Sequence, residues 1–239
     1  MTKTRLDQTL VQLGKVPTRS QGESFVRLGQ VFVNKKVVTK PGHMVSDNDV
    51  IELKAGEQYV SRAGLKLASV AQALKLNFHN KTVLDVGSST GGFTDYALRH
   101  GAVKVLAVDV GTDQLHPGLR GDDRIELHEK TDIRDFKTTE HIDIVVADVS
   151  FISLREILPS VKALCDKHTV LAVMAKPQFE AGQSNLKHKG VIKNDKMRRD
   201  ILKDFEDWAR QHFVIVDKAD SDVAGSKGNR ERFYLLQKL

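Results

Sequence analysis

The spacing of apolar residues changes once within the first fifty positions. In residues 5–14 three leucines recur at helical spacing and a glycine follows them, a pattern that predicts a short amphipathic helix. Residues 18–29 predict a second helix, with Thr18 as its N-cap. Residues 31–53 contain short β-branched runs separated by turn residues, as strands do. The first quarter of the chain is therefore predicted to be a small α+β unit.

From Ser61 onward, helical patterns alternate with continuous apolar runs of strand length. The runs lie in residues 81–87, 103–110, 124–132, 141–151 and 168–179. Strands that are apolar on both faces and alternate with helices imply a parallel sheet covered on both sides. Residues 198–211 predict a last helix, and residues 212–221 and 230–239 predict two strands that close the sheet. The expected architecture is a Rossmann-like α/β domain.

A polar segment separates the two patterns. Residues 54–64 contain two glycines and few apolar side chains, which is typical of a linker. We therefore expect a first domain over residues 1–56, a linker over 57–62 and a second domain over 63–239.

Composition restricts the class of protein. The chain is 40% hydrophobic and 28% charged, and no run approaches the roughly 18 to 20 apolar residues that a membrane span needs. Because the N-terminus also lacks an apolar signal segment, we expect a cytoplasmic protein without membrane insertion. A single cysteine, Cys165, excludes internal disulfides and cysteine-based zinc clusters. No metal site is expected. The oligomeric state is left open by the sequence, with a monomer favoured.

The net charge favours a polyanionic partner. The formal charge is +6, and residues 1–60 hold nine Lys and Arg against six Asp and Glu. Ordinary solvated surfaces carry excesses of this size as well, so the charge indicates nucleic acid only in a suitable structural context.

The first apolar run of the α/β part ends in a glycine-bearing loop, VLDVGSSTGGF, at residues 83–93. In a doubly wound sheet, the loop after the first strand binds the ligand beside a helix N-terminus. Two phosphate-binding motifs are incomplete here: a dinucleotide loop requires glycine where Ser89 stands, and a P-loop requires lysine where Phe93 stands. The loop therefore contains neither of these diphosphate-binding motifs.

Three acids lie in or after successive predicted strands. Asp109 ends the second strand, 24 residues after Asp85, where an acid accepts hydrogen bonds from ribose hydroxyls. Asp85 favours a ligand with cationic groups, such as the amino and sulfonium groups of S-adenosylmethionine. Helix capping is the alternative role for Asp85 and for Asp132, which follows the third strand. The candidate cofactor-binding residues are Asp85, Gly87, Ser88, Ser89, Thr90, Gly91, Gly92, Phe93, Asp109, Val110, Asp132 and Asp148.

The N-terminal motifs RLD (5–7), TRSQ (18–21) and GQVFVN (29–34) resemble the S4 RNA-binding domain. Two positions depart from its pattern. Gly22 stands where a helical alanine is common, and Lys35 stands where a turn glycine is common, which favours a wider hairpin tip. The resemblance implies RNA contacts by Arg5, Arg19, Arg27, Lys35 and Lys36, for which ordinary surface charge is the alternative.

The later motifs resemble the FtsJ-like ribose 2′-O-methyltransferases. They are YVSRAGLKL (59–67), VLDVGSSTGGFTDYAL (83–98), AVDVG (107–111), ADVSFISL (147–154), KPQFE (176–180) and GNRERFYLL (228–236). An S4 domain followed by this domain resembles the TlyA family of rRNA methyltransferases, often catalogued as haemolysins. The resemblance implies a Rossmann-like domain that uses S-adenosylmethionine to methylate ribose in ribosomal RNA, behind a small S4-like domain.

The same resemblance implies a catalytic set of Lys66, Asp148, Lys176 and Glu231. Asp148 and Lys176 follow the fourth and fifth predicted strands, so both should lie at the ligand-binding edge of the sheet. A surface or capping role is the alternative for each of the four, and it fits Lys176 least, because Lys176 ends an apolar run.

Two other functions remain alternatives to catalysis. One is a non-catalytic RNA-binding or ribosome-assembly factor, against which the four intact catalytic candidates argue. The other is a membrane-active haemolysin, against which the lack of a pore-forming or export segment argues. Residues 179–195 are basic and contain glycine, as expected of a mobile loop near RNA; a disordered surface loop without a role is the alternative.

Overall fold

The computed structural model describes residues 3–27, 29–54, 59–181, 190–192, 194–225 and 227–239. Two parts of the sequence predictions lie outside these ranges: positions 57 and 58 of the linker, and the basic-loop lysines Lys187, Lys189 and Lys193.

The N-terminal part is α+β, as predicted. It contains α1 (Leu6–Gln12), α2 (Arg19–Arg27) and a three-stranded sheet of β2 (Val31–Val33), β3 (Lys36–Val37) and β5 (Ile51–Leu53), in the order β3-β2-β5. A second pair, β1 (Thr4–Arg5) with β4 (Met44–Val45), was not predicted. Strands of two residues are too short to show an alternating pattern.

The hairpin between β2 and β3 has a two-residue tip, so the prediction of a wider tip was wrong. Val33 pairs with Lys36, and the two residues between them, Asn34 and Lys35, have φ of 50° and 65°. A type I′ turn requires positive φ at both central positions. The Asn34 side chain accepts a hydrogen bond from the Val50 amide at 2.9 Å, which holds the turn against the next strand. Nothing in the local sequence shows this cross-strand bond.

Helices α1 and α2 pack closely at Gly22. A Cβ atom at this position would lie 3.1 Å from the Asp7 carbonyl oxygen and 3.3 Å from Cγ2 of Val16. This close approach explains why glycine replaces the alanine common in S4 domains.

A seven-stranded sheet forms the centre of the second part. Its strands are β6 (Thr82–Val86), β7 (Lys104–Val108), β8 (Ile125–His128), β9 (Ile144–Ala147), β10 (Val170–Ala175), β11 (Phe213–Asp220) and β12 (Arg232–Lys238). They run in the order β11-β12-β10-β9-β6-β7-β8. β6 to β10 are parallel, while β12 is antiparallel to both β10 and β11. All seven strands lie in the predicted runs, and the Rossmann-like prediction is confirmed.

Helices cover both faces of this sheet. They are α3 (Arg62–Ala71), α4 (Gly92–Arg99), α5 (Leu154–Leu164), α6 (Pro177–Glu180) and α7 (Asp195–Ala209). Val83 packs in one apolar core with α3 and α4, and its neighbour Leu84 packs in the other with α5 and α7. Phe25 of the N-terminal part belongs to the first core, so the two parts share packing. None of the helices in the described ranges has the length and apolar content to cross a bilayer.

The strand order reverses between β6 and β9. β7 and β8 lie beyond β6 on one side, and β10 lies beyond β9 on the other. In open α/β sheets, ligands bind outside the carboxyl ends of the strands at such a reversal. The loops that begin with Gly87 and Asp148 leave the sheet at this point.

Candidate active site

The loop after β6 turns sharply at Gly87, where φ is +78°. A Cβ atom there would lie 2.9 Å from the backbone oxygen of Asp148. The amides of Gly87 and Ser88 both donate to the carbonyl of Val108, at 2.9 and 3.2 Å. The loop is therefore held against the ends of β7 and β9, with no space for a side chain at its first residue.

We expect Gly87→Ala to destabilise the protein by more than the ~1–2 kcal/mol that a left-handed conformation costs a non-glycine residue. The added Cβ would also meet the Asp148 backbone, which cannot turn away as a flexible side chain can. Gly121→Ala is the matched control, because Gly121 has φ +89° and nothing within 4 Å of a Cβ. Denaturant unfolding would measure both, and equal losses would contradict the proposed backbone contact.

Asp85 is a buried acid at the base of this loop. It is 1% exposed, and its Oδ2 accepts a hydrogen bond from the Thr94 hydroxyl at 2.7 Å. Its Oδ1 is buried without a hydrogen-bond partner among the described residues. Burial raises the pKa of Asp85 to about 7, and the charges of Asp148 and Asp109 act in the same direction. The N-cap of the following helix α4 is Gly91, not Asp85. The buried Oδ1 of Asp85, which lacks a partner among the described residues, suits a ligand that supplies an N–H donor.

A cavity of about 360 Å³, here called the strand-end cavity, lies at the carboxyl ends of β6, β7 and β9. Its size is typical of small-ligand sites. Asp109, Val110 and Asp132 line it, as the sequence predicts for cofactor-binding residues. The lining also includes residues that the sequence patterns did not indicate: Gln114, Thr131, Ile133, Val149, Ile152 and Ile157. Several of these are apolar, so the cavity combines acids from the strand ends with an apolar wall.

Asp109 and Asp132 are held in different ways. Asp109 accepts hydrogen bonds from the Ser89 amide at 2.8 Å and the Gly111 amide at 2.7 Å, and so ties the glycine loop to the end of β7. Asp132 accepts two side-chain hydrogen bonds from Arg134, at 2.6 and 2.9 Å, and one from its amide. The Arg134 side chain lowers the pKa of Asp132. Asp132 therefore stabilises its own turn as well as lining the cavity.

A smaller cavity of about 140 Å³, here called the loop cavity, adjoins the glycine loop. The predicted cofactor residues that line it are Asp85, Gly87, Ser88, Ser89, Thr90, Phe93 and Asp148. Gly91 and Gly92 line neither cavity. Gly91 has φ +85° before α4, and the Gly92 carbonyl oxygen would lie 2.9 Å from a Cβ at Gly64. These two glycines therefore serve the turn and the contact between helices α3 and α4.

Two buried lysine–carboxylate pairs lie beside the loop cavity. Lys176 Nζ is 2.5 Å from Asp148 Oδ1, and Lys66 Nζ is 2.5 Å from Glu231 Oε2. Both lysine side chains are 8% exposed, while Asp148 is 15% and Glu231 3% exposed. A close partner of opposite charge offsets part of the cost of removing such groups from solvent. The fold therefore places the four predicted catalytic residues in two close pairs.

Both pairs contribute to one cavity of about 310 Å³, here called the lysine cavity. Lys66, Lys176 and Glu231 line it, together with the cations Arg62 and Lys227. Lys176 also lines the loop cavity, so the two cavities adjoin at this side chain.

Sequence patterns did not identify two residues of this region, Ser150 and Phe151. Both follow β9 in the motif ADVSF and line the strand-end and lysine cavities. Phe151 is 92% exposed and has φ +69°. Their position just beyond a central strand was the available signal.

The predicted RNA-binding residues contribute to none of these three cavities. Arg5 and Arg19 both pair with the fully buried Asp7, at 2.7 and 3.0 Å, and Arg27 pairs with Glu23 at 2.7 Å. Burial would raise the pKa of Asp7, but the two guanidinium groups more than offset it, and that pKa is lowered. These three arginines are therefore organised by acids within the N-terminal domain.

Two family models match the chain, one for each part. The sequence profile of the FtsJ-like methyltransferase family matches residues 59–238, and that of the S4 domain matches residues 4–51. The chain is 42% identical over 181 residues to the 23S rRNA (cytidine-2'-O)-methyltransferase TlyA of Campylobacter jejuni, covering 74% of this chain and 70% of that protein. It is 37% identical over 232 residues to Hemolysin A of Brachyspira hyodysenteriae, covering 95% and 97%.

A solved structure shows the same fold at lower identity. The O-methyltransferase from Bacillus cereus, in complex with SAH, matches with a TM-score of 0.51 and 16% identity, covering 75% of this chain and 82% of that chain. The matches at higher identity extend over both parts of the sequence. The chain therefore belongs to the TlyA family, in which an S4 domain precedes an FtsJ-like methyltransferase domain.

Proposed function

We propose that the protein methylates the 2′-hydroxyl of a ribose in ribosomal RNA, using S-adenosylmethionine. The observation that carries this proposal is the pair of buried lysine–carboxylate contacts at one cavity, joined through Lys176 to the cavity of the glycine loop. The similarity to an rRNA (cytidine-2'-O)-methyltransferase supports the choice of RNA and of the ribose oxygen.

The residues present suit the proposed cofactor. The buried, unpartnered Oδ1 of Asp85 would accept a hydrogen bond from its amino group, and the acids of the strand-end cavity would hold its ribose. Ile133 and Ile157 offer an apolar wall for its base. S-adenosylmethionine, when bound, supplies a methyl group whose bond to sulfur breaks, leaving the electron pair on sulfur, as the 2′-oxygen bonds to the carbon.

Lys176 is the proposed general base. As a neutral amine it takes the proton from the 2′-hydroxyl, and Asp148 at 2.5 Å then stabilises the ammonium that forms. The proton leaves to solvent through the open side of the cavity. The reaction requires no additional proton acceptor.

Lys66 and Glu231 are proposed to bind the ribose in the same cavity. Glu231 holds the Lys66 ammonium at 2.5 Å, and both side chains line the lysine cavity. An ammonium there can donate to sugar oxygens and fix the attacking hydroxyl in line. All four side chains come from one chain, so a monomer can provide this site.

Transfer of tritium from labelled S-adenosylmethionine to ribosomal RNA tests the proposal. Purified protein would be incubated with free rRNA and with isolated ribosomal subunits, and the modified nucleotide would then be mapped. We expect label in 2′-O-methyl nucleotides. Binding of RNA without transfer to either substrate would favour a non-catalytic assembly factor. Ribosomal substrates also imply a cytoplasmic location.

The hairpin tip offers two cations for RNA. Lys35 and Lys36 are exposed and form no ion pair with a described residue, and each phosphate contact releases counterions. We expect the double variant Lys35→Ala/Lys36→Ala to bind rRNA more weakly, with the slope of log K against log salt reduced by about 1.5. Filter binding at several salt concentrations would measure this.

The matched control replaces two exposed lysines, Lys137 and Lys167, with alanine. They lie in the loops that precede β9 and β10, whereas the cavities lie at the carboxyl ends of the strands. It changes the net charge equally but should leave the salt slope within experimental error. If the two double variants lose affinity equally, the effect is one of total charge and the hairpin is not an RNA contact.

A further inference from the structure

Ser150 lies where the three cavities meet. Of the described residues that line the strand-end, loop and lysine cavities, it alone belongs to all three. It is exposed and stands three residues beyond the end of β9. A side chain in this position lies between the proposed site of the cofactor and that of the ribose.

The Ser150 hydroxyl contacts the proposed base directly. Lys176 Nζ donates a hydrogen bond to Ser150 Oγ at 2.8 Å, and the same nitrogen lies 2.5 Å from Asp148 Oδ1. A neutral amine has two N–H bonds and one lone pair in a tetrahedral arrangement. The hydrogen bond to Ser150 and the ion pair with Asp148 restrain this nitrogen on two sides, which limits the direction of the lone pair.

We infer that Ser150 is a positioning residue that, together with Asp148, directs the lone pair of Lys176 into the lysine cavity. This inference rests on the proposed function for the identity of the hydroxyl that loses its proton. In that step the O–H bond breaks and the proton joins the Lys176 nitrogen. The resulting ammonium has three N–H bonds, directed to Asp148, to Ser150 and to the methylated oxygen.

In the part of the chain that the structure describes, the second lysine has no corresponding hydroxyl partner. Lys66 has Glu231 as its charged partner at 2.5 Å and does not line the loop cavity. Among the described residues, Lys176 is thus held by a hydroxyl and a carboxylate at the meeting point of the cavities, and Lys66 by one carboxylate away from it. Ser150 therefore distinguishes the two amines, and Lys66 can serve as the internal reference in an experiment.

Chemical labelling tests the inference without requiring methyl transfer. The wild type, Ser150→Ala and Ser150→Thr would be treated with a limiting dose of acetic anhydride, and peptide mass spectrometry would give the ratio of acetylated Lys176 to acetylated Lys66. We expect this ratio to rise about threefold or more in the alanine variant, because the freed amine can turn toward the reagent. Threonine retains the acceptor oxygen and should restore the wild-type ratio.

Kinetics provide the second measurement. Ser150→Ala should lower kcat for methyl transfer about 10- to 100-fold, while KM for RNA and Kd for S-adenosylmethionine stay within about twofold of wild type. Ser150→Thr should recover most of kcat. Because the side chain is exposed, both variants should unfold at the wild-type temperature.

Three results would overturn the inference: an unchanged labelling ratio in Ser150→Ala, an unchanged kcat in that variant, or a Kd for S-adenosylmethionine that weakens as much as kcat falls. The last result would make Ser150 a cofactor ligand. If the wild-type protein transfers no methyl group to rRNA, the proposed function fails, and the labelling ratio still decides whether Ser150 holds Lys176.

Discussion

Lys176→Ala should lower kcat for methyl transfer about 100- to 10,000-fold, the range that a general base contributes, while the protein stays folded. The amine is the proposed acceptor of the 2′-hydroxyl proton, and alanine offers no replacement. Asp148 would lose its cation, but its side chain is 15% exposed, so water can solvate the carboxylate. Single-turnover transfer to rRNA would measure the loss of the chemical step. Calorimetry would measure the affinity for S-adenosylmethionine, which should stay near that of the wild type.

Two further variants sharpen this test. Lys176→Arg keeps the positive charge beside Asp148 but cannot act as a base at neutral pH, so it should be as inactive as the alanine variant. Lys66→Ala leaves Glu231 buried at 3% exposure without its cation, and we expect it to lose stability as well as activity. Near-normal turnover by either Lys176 variant would show that this lysine is not the base.

The sheet could be predicted from the sequence because its strands follow a simple pattern, whereas the four catalytic candidates came from the resemblance to FtsJ-like methyltransferases. Buried parallel strands are continuously apolar, and the charge of Lys176 directly after such a run placed it at the ligand-binding edge. Asp85 and Asp109 were identified in the same way, as acids at strand ends. Such positions are defined by one segment of chain, so local sequence is sufficient.

Other features depend on contacts between distant segments and could not be predicted. The two-residue hairpin tip depends on Asn34 bonding to Val50, sixteen residues away. Gln114 and Ser150 are polar residues in loops, where no periodicity marks which side chain enters a cavity. The role of Gly22 appears only when α1 packs on α2. In each case the determining neighbour is remote in sequence.

The affinity for S-adenosylmethionine should increase as pH rises from 6 to 8. Burial keeps the pKa of Asp85 at about 7, so below that pH the cofactor-free protein holds a proton on this carboxyl group. A cationic amino group binds the ionised form, so cofactor binding releases the proton. Kd should therefore fall up to about tenfold per pH unit below 7 and level off above it. Calorimetry in buffers of different ionisation enthalpy would measure both Kd and the proton released.

Asp85→Asn is the control that separates the titration of Asp85 from that of the cofactor, because only the cofactor still titrates in the variant. We expect the variant to bind the cofactor at least tenfold more weakly at pH 8 and to lose most of the pH dependence. Parallel curves of Kd against pH for the two proteins would exclude Asp85 as the partner of the cation.

The same titration predicts the stability of the cofactor-free protein. The folded-state pKa of Asp85, about 7, lies above its ordinary value of 3.8, so the folded state binds more protons than the unfolded state between these pH values. The contribution of Asp85 to the free energy of unfolding is therefore fully present below pH 4. It decreases as pH rises to 7, by up to ~4 kcal/mol. Asp85→Asn has no such slope and should exceed the wild type in stability at pH 8, as measured by urea unfolding. In the same pH range, the site should gain affinity for the cofactor while the cofactor-free protein loses stability. Both effects follow from ionising the buried Asp85 carboxyl group, because the positive charge of the cofactor offsets the cost of that ionisation.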